Sequence, residues 1–246
     1  MPSTHFCQDT ARVIDSSASY AVDRRSLLIT AGTAIFGRCV GVGRPPIYDT
    51  PGSEVNIGHN LLRLMLNMKY IQATFYSYAI YGRGLDQNDT TGNGRHGAVI
   101  ACAPVHFQAS LVASFACELS TCKLGQLRHL RHVLGSNTAA QPDINLRPKV
   151  ASLAASVGLV LPGAAFDPFL NNQNFLVGAL LIEQLGRGAL PSLAGQFDAD
   201  CWGGVSAILR SDALYFGRLK SMLDDAGLQQ SAASISALIP TVFWSA

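Results

Sequence analysis

Four long segments of this chain repeat apolar residues at intervals of three and four, the spacing that places them on one face of an α-helix. These segments cover about residues 55–81, 104–135, 172–190 and 200–225. A short fifth helix is predicted over residues 231–238, and a helical patch near residues 150–159 lies among prolines. The alternation of apolar and polar residues that is typical of β-strands is nearly absent. The all-α class is therefore expected, as an antiparallel four-helix bundle with a short extra C-terminal helix.

The inward faces of these predicted helices carry polar residues among the leucines. The inward stripe of the second helix consists of Leu119, Lys123, Gln126, Leu130 and Val133. The polar positions over all four helices are Lys69 and Gln72 in the first, Lys123 and Gln126 in the second, Glu183 in the third, and Asp212 and Tyr215 in the fourth. Burying a lysine ammonium is costly unless it is paired. We therefore expect acidic partners inside the bundle.

Length allows one large domain or two small ones, and composition supports a sizeable core. Of 246 residues, 48% are hydrophobic and only 14% are charged, and the formal net charge is +2. No run of Lys or Arg is dense enough to bind a phosphate backbone, so nucleic acid is not expected as a partner. The bundle is assigned to residues 54–238, and residues 239–246 are assigned to a C-terminal tail.

The first 53 residues do not share the pattern of the bundle. Arg24 and Arg25 directly precede an apolar run that ends near residue 37, which is too short to span a bilayer. This arrangement resembles a twin-arginine export signal, so residues 1–53 are assigned to a signal and leader. The product is then exported, periplasmic or extracellular, without stable membrane insertion. The alternative is a first amphipathic helix with two solvated arginines.

Four cysteines lie beyond the leader: Cys102, Cys117, Cys122 and Cys201. They lack the C-x-x-C spacing of structural zinc sites. We interpret them mainly as small core residues. An oxidising compartment allows one disulfide among them, with its pairing left open.

The chain resembles the exported ferritin-like family that includes plant and bacterial desiccation-related proteins. The resemblance covers about residues 54–225 and follows the four helices in order, in the segments LNMKYIQATFYSYAIYGRGL, ELSTCKLGQLRHLRHVLG, FDPFLNNQNFLVGALLIEQLGRGALPSLAG and AILRSDALYFGRLKSML. Its most specific stretch is FDPF followed by NQNFLVGAL.

This resemblance implies a ferritin-type bundle whose interior can carry a di-metal carboxylate site. Such a site takes one Glu from each of two helices and a Glu-x-x-His pair from each of the other two. Glu183 alone matches that ligand set. The other ligand positions fall on Lys69 and Gln72, on Lys123 and Gln126, and on Asp212 and Tyr215.

A lysine ammonium has no lone pair and repels a cation, and the two histidines of the second helix, His129 and His132, lie off its inward stripe. No metal ligand and no cofactor are therefore expected.

Our hypothesis is that Lys69 and Lys123 stand where the metals were, balanced by Glu183 and Asp212. The side chains of Gln126 and Tyr215 would satisfy the remaining donors and acceptors, and Gln72 is a further binding candidate. In the alternative, the lysines extend outward between helices and the acidic residues line a rim.

Three functions follow from these patterns. The first is a non-catalytic, exported bundle associated with stress or desiccation. The alternative is an enzyme that reuses the interior, in which Lys69 or Lys123 acts as a base or Schiff-base nucleophile and Tyr215 with Asp212 moves a proton. The third is a di-iron or di-manganese oxidase or iron-handling protein. A homo-oligomer is compatible with each of them, and the sequence identifies no small-molecule ligand.

Overall fold

Seven α-helices and two short β-strands make up the part of the chain that the structure describes. In the computed structural model this part comprises residues 57–100, 103–156, 158–160, 166–189 and 199–244. The elements in chain order are α1 (Ile57–Tyr81), α2 (Gln87–Thr90), β1 (Val99–Ile100), α3 (Ser110–Leu134), β2 (Ile144–Asn145), α4 (Pro148–Ser156), α5 (Asn172–Ala189), α6 (Ala199–Asp225) and α7 (Gln229–Trp244). The all-α class is confirmed. The predicted signal and leader, residues 1–53, lie outside the described residues.

Helices α1, α3, α5 and α6 form the predicted four-helix bundle. Helix α1 packs along α3 and α5, and α6 closes the ring by packing on both α3 and α5. As a result α1 faces α6 across the interior, and α3 faces α5. Helices α1 and α3 run antiparallel, because Val105 just before α3 donates to the carbonyl of Ala79 near the end of α1. At the opposite end, Arg63 of α1 donates to the carbonyl of Asn137, just past α3.

The predicted boundaries of the four long helices agree with the structure to within two residues, except at the start of α3. Helix α3 begins at Ser110, several residues after the predicted start at 104, and ends before Gly135 as predicted. Gly135 has φ +52, which glycine adopts at a helix end without steric cost. Helix α7 runs to Trp244, so most of the predicted tail is helical, since the sequence remains apolar past Leu238. On α3, Val133 was predicted to face inward but is exposed, and Leu134 is buried in its place.

Two connecting segments are joined to each other beside α3, which the sequence did not predict. Strands β1 and β2 pair in parallel, and Asn93 and Gly97 form further backbone hydrogen bonds with residues 138–141. A Cβ atom on Gly97 would lie 2.1 Å from the carbonyl carbon of Pro142, so only glycine allows this approach. Strands of two residues are too short to show alternation in a sequence.

None of the helices that the structure describes combines the length and apolar character that a bilayer crossing needs.

Candidate functional site

Four charged side chains meet in the middle of the bundle, one from each long helix. Lys69 of α1 is 1% exposed, Lys123 of α3 is 0%, Glu183 of α5 is 1% and Asp212 of α6 is 4%. Each lies on the apolar stripe of its helix, so helix packing itself directs these groups inward. The predicted convergence of these four residues is confirmed, and the alternative of rim charges is wrong.

Asp212 is the centre of this group, which we call the ion-pair network. Lys69 Nζ lies 2.6 Å from Asp212 Oδ2, and Lys123 Nζ lies 2.7 Å from Asp212 Oδ1. Lys123 Nζ also lies 2.7 Å from Glu183 Oε2. Two ammonium groups and two carboxylates therefore share one buried volume, and their formal charges sum to zero.

Neutral polar side chains complete the hydrogen bonds of the network. Gln72 Oε1 accepts from Lys69 Nζ at 2.8 Å, and Gln126 Nε2 donates to Asp212 Oδ1 at 3.0 Å. Tyr76 donates from its hydroxyl to Glu183 Oε1 at 3.0 Å. The other amide atom of Gln126, Oε1, is buried without a hydrogen-bond partner. Both glutamines thus contact the network as predicted, but they do so in different ways.

The tyrosine of the network is Tyr76 and not Tyr215, which corrects the sequence-based hypothesis. Tyr215 is half-buried and packs against the ring of Phe115, with ring centroids 6.3 Å apart. Its hydroxyl forms no hydrogen bond within the described part of the chain, so Tyr215 is not positioned to move a proton to Asp212. Tyr76 lies one turn after Gln72 on the inward face of α1, so helical spacing makes it a candidate but does not rank it above Tyr215.

The two lysines differ in their electrostatic surroundings. Burial, together with the nearby ammonium of Lys123, lowers the pKa of Lys69 to about 8. Burial also acts to lower the pKa of Lys123, but contact with both Glu183 and Asp212 outweighs it and raises this pKa above its usual value. Lys69 is therefore the lysine that loses its proton first as the pH rises.

The pKa values of Asp212 and Tyr76 are shifted in opposite directions. Burial alone would raise the pKa of Asp212, yet Lys69 and Lys123 hold it well below its usual range. The pKa of Tyr76 is raised well above its usual value by burial and by the carboxylate of Glu183. Tyr76 thus stays protonated and acts as a hydrogen-bond donor to Glu183.

These side chains do not fit a di-metal centre. The site supplies two carboxylates, while one positively charged nitrogen, Lys123 Nζ, bridges them and a second, Lys69 Nζ, contacts Asp212. Within the residues that the structure describes, no three His, Cys, Asp or Glu side chains are grouped closely enough to hold a metal ion. His129 and His132 are exposed on α3, as predicted. The donor chemistry of the interior is that of an ion-pair network.

A third buried carboxylate lies outside the network, near the end of α3. Asp89 of α2 accepts two hydrogen bonds from Arg128, each 2.8 Å long. One turn further along α3, Arg131 donates to the carbonyls of Asn88 and Thr91 and to the hydroxyl of Tyr70. We call these contacts the loop clamp, because they attach the connection after α1 to α3. They join residues distant in sequence, and no sequence pattern predicted them.

The two cysteines whose side chains the structure describes are of different kinds. Cys117 is disulfide-bonded, and Cys122 is free and buried on α3. Burial raises the pKa of the Cys122 thiol, and its sulfur lies 3.3 Å from Ser211 Oγ. The side chains of Cys102 and Cys201 lie outside the described residues. The structure thus agrees with the prediction that a disulfide can form and that Cys122 is a core residue.

Comparison with known proteins agrees with this architecture. Residues 59–225 match the family described as a ferritin-like domain. Over 167 residues, the chain is 23% identical to the desiccation-related protein PCC13-62 of Craterostigma plantagineum, covering 65% of this chain and 50% of that protein. The chain thus spans about half the length of this relative. No solved structure matches the present chain. Because the family match covers more than half of the sequence, this chain belongs to the ferritin-like domain family.

Proposed function

We propose that this chain is an exported ferritin-like bundle in which the ion-pair network replaces a di-metal centre, and that it acts without catalysis as a stress- or desiccation-associated protein. The observation that carries this proposal is the position of the two lysine nitrogens. Each lies within 2.7 Å of a carboxylate oxygen in the middle of the bundle, where a ferritin-type site places its cations.

Electroneutrality supports the replacement. Two divalent cations need four carboxylates for balance, whereas two ammonium groups need two. Replacing two divalent cations and two of the four carboxylates with two lysines therefore keeps the interior at zero net charge. An uncompensated ion there would be strongly destabilising. The hydrogen bonds from Gln126 and Tyr76 satisfy carboxylate oxygens that a metal would otherwise coordinate.

The closure of the interior supports a non-catalytic role. All four charged residues are at most 4% exposed, so a substrate has no direct contact with them in this conformation. The likeness to a protein named as desiccation-related supports the physiological assignment, although it covers only half of that protein.

Metal analysis of protein purified from its native compartment tests the replacement. Elemental mass spectrometry should find far less than one iron or manganese per chain. A stoichiometric two metals per chain would overturn the proposal.

The stress role is tested by drying and rehydrating cells that lack the gene: survival should fall, and the wild-type gene should restore it. Equal survival with and without the gene would contradict the stress role and leave the metal result untouched.

Export through the twin-arginine route is part of the same proposal, and it rests on Arg24 and Arg25 ahead of the short apolar run. Changing both to lysine should leave the precursor in the cytoplasm, as measured by fractionation and immunoblotting. Unchanged export of this variant would remove the support for this route.

A second candidate function is supported by the lowered pKa of Lys69, at about 8. An amine that is partly neutral at physiological pH can form a Schiff base with a carbonyl compound. Borohydride reduction in the presence of cell extract would then trap a covalent adduct on Lys69 if the interior opens to a substrate. Absence of any adduct, while an exposed aldolase-type control protein is trapped, would exclude this function.

A further inference from the structure

We propose that Lys69 and Asp212 become joined by an amide bond between Lys69 Nζ and the side-chain carboxyl carbon of Asp212, linking α1 covalently to α6. The inference deepens the proposed function, on which it rests, because it requires that lysines and carboxylates meet without a metal between them. The reactants are two side chains of this chain, and no external reagent is needed.

Proximity and burial favour the reaction. Lys69 Nζ lies 2.6 Å from Asp212 Oδ2, and the two residues are 1% and 4% exposed. Two reactants held in contact within one folded chain avoid the entropy cost of a bimolecular encounter. Exclusion of water also disfavours the reverse reaction, hydrolysis of the amide.

The other oxygen of Asp212, Oδ1, has two hydrogen-bond donors around it. An acyl-transfer reaction needs such donors to stabilise its oxyanion. Oδ1 accepts hydrogen bonds from Lys123 Nζ at 2.7 Å and from Gln126 Nε2 at 3.0 Å. When an amine adds to a carboxyl carbon, negative charge develops on the oxygen that does not leave. Two donors already directed at Oδ1 stabilise that charge without rearrangement.

The proposed reaction balances within the pair. The Lys69 ammonium first transfers one proton to Asp212 Oδ2 along their hydrogen bond, giving a neutral amine and a neutral acid. The amine lone pair forms the N–C bond, the C–Oδ2 bond breaks, and Oδ2 leaves as water with a second proton from the nitrogen. One ammonium and one carboxylate thus become one amide and one water, and nothing is oxidised or reduced.

The charges explain why Lys69 is the nucleophile. The lowered pKa of Lys69 reduces the cost of forming its neutral amine, whereas the lowered pKa of Asp212 opposes protonation of Oδ2, so the neutral pair is a minor species and the link forms slowly. Lys123 remains charged because it faces two carboxylates. After condensation, Lys123 and Glu183 remain as a balanced pair 2.7 Å apart. The reaction therefore removes one buried ion pair and its desolvation cost without leaving an unpaired charge.

Peptide mapping of the full-length protein provides the test. An acylated lysine is not cleaved by trypsin, so digestion should yield residues 64–83 linked to residues 211–218, with the combined mass lower by one water. Fragmentation spectra would assign the linked atoms to Lys69 and Asp212. The protein is incubated for days after purification, reduced and denatured before digestion.

Three variants make the test specific. Lys69→Arg keeps the positive charge but lacks a nucleophilic amine, so the linked peptide should be lost. Lys220→Arg is the matched control, because Lys220 is an exposed lysine on α6, and the linked peptide should remain. Gln126→Leu removes one donor to Oδ1 together with the unpartnered Oε1, and it should slow formation of the link by about 100-fold.

The outcomes separate this inference from the proposed function. If wild-type digests contain residues 64–69 and residues 211–218 only as unlinked peptides, the amide is refuted, and an absence of metal still supports the ion-pair network. If two metals per chain are found, the proposed function fails whatever the peptides show. Should Lys69→Arg fail to fold, the wild-type digest and Gln126→Leu kinetics still decide the matter.

Discussion

Lys123 is the residue on which the electrostatics of the interior depend most. Its single nitrogen contacts both carboxylates of the network, whereas Lys69 contacts one of them, Asp212. The sequence revealed this lysine because it lies between leucines on an inward stripe. It could not reveal that Tyr76 would be preferred over Tyr215, since both occupy plausible helical positions and only the packing of α6 against Phe115 distinguishes them.

Replacing Lys123 with methionine should lower the free energy of unfolding by about 3–5 kcal/mol, because Glu183 loses its cation while remaining buried. Chemical denaturation of purified variants measures this change. Lys220→Met, at an exposed position of the neighbouring helix, should change stability by less than about 0.5 kcal/mol.

A double variant keeps this prediction testable if Lys123→Met is too unstable to purify. Adding Glu183→Gln removes the stranded carboxylate charge, so Lys123→Met/Glu183→Gln should be more stable than Lys123→Met alone. A double variant less stable than the single one would contradict the assignment of the cost to an unpaired charge.

At the scale of the elements, the long helices were predictable and their connections were not. Apolar spacing over 18 to 27 residues identified α1, α3, α5 and α6, and it oriented their inward faces. The loop clamp was not predicted because Asp89 and Arg128 are 39 positions apart, and no local sequence pattern connects them. The parallel pairing of β1 with β2 depends in the same way on contacts distant in sequence.

Two glycines in long helices should respond oppositely to the same substitution. A Cβ atom on Gly125 of α3 would meet nothing within 4 Å, so Gly125→Ala should stabilise the protein by about 0.5–1 kcal/mol. A Cβ atom on Gly178 of α5 would lie 2.5 Å from Pro168 Cβ, so Gly178→Ala should be destabilising by about 1–3 kcal/mol. Thermal unfolding of the two variants compares them, and a lower Tm for Gly125→Ala would contradict the open position of that glycine.

For the whole molecule, a core balanced by its own side chains should have a stability that does not depend on metal supply. A metal that binds only the folded state adds about 2.7 kcal/mol at a concentration 100 times its Kd. For this chain we expect neither EDTA nor added iron or manganese to shift Tm. A rise of several degrees with either metal, reversed by EDTA, would show that the native state binds it.

The loop clamp and the strand pairing also bear on whether the backbone must be continuous between α1 and α3. Arg95 is exposed. Before it, Asp89 is bound to Arg128 of α3. After it, Gly97 and Val99 pair with residues 141–144. If a protease cuts there, each new end is still held by several hydrogen bonds to its former neighbours. The severed halves should therefore stay associated as one folded body, and they should separate only when the protein is denatured.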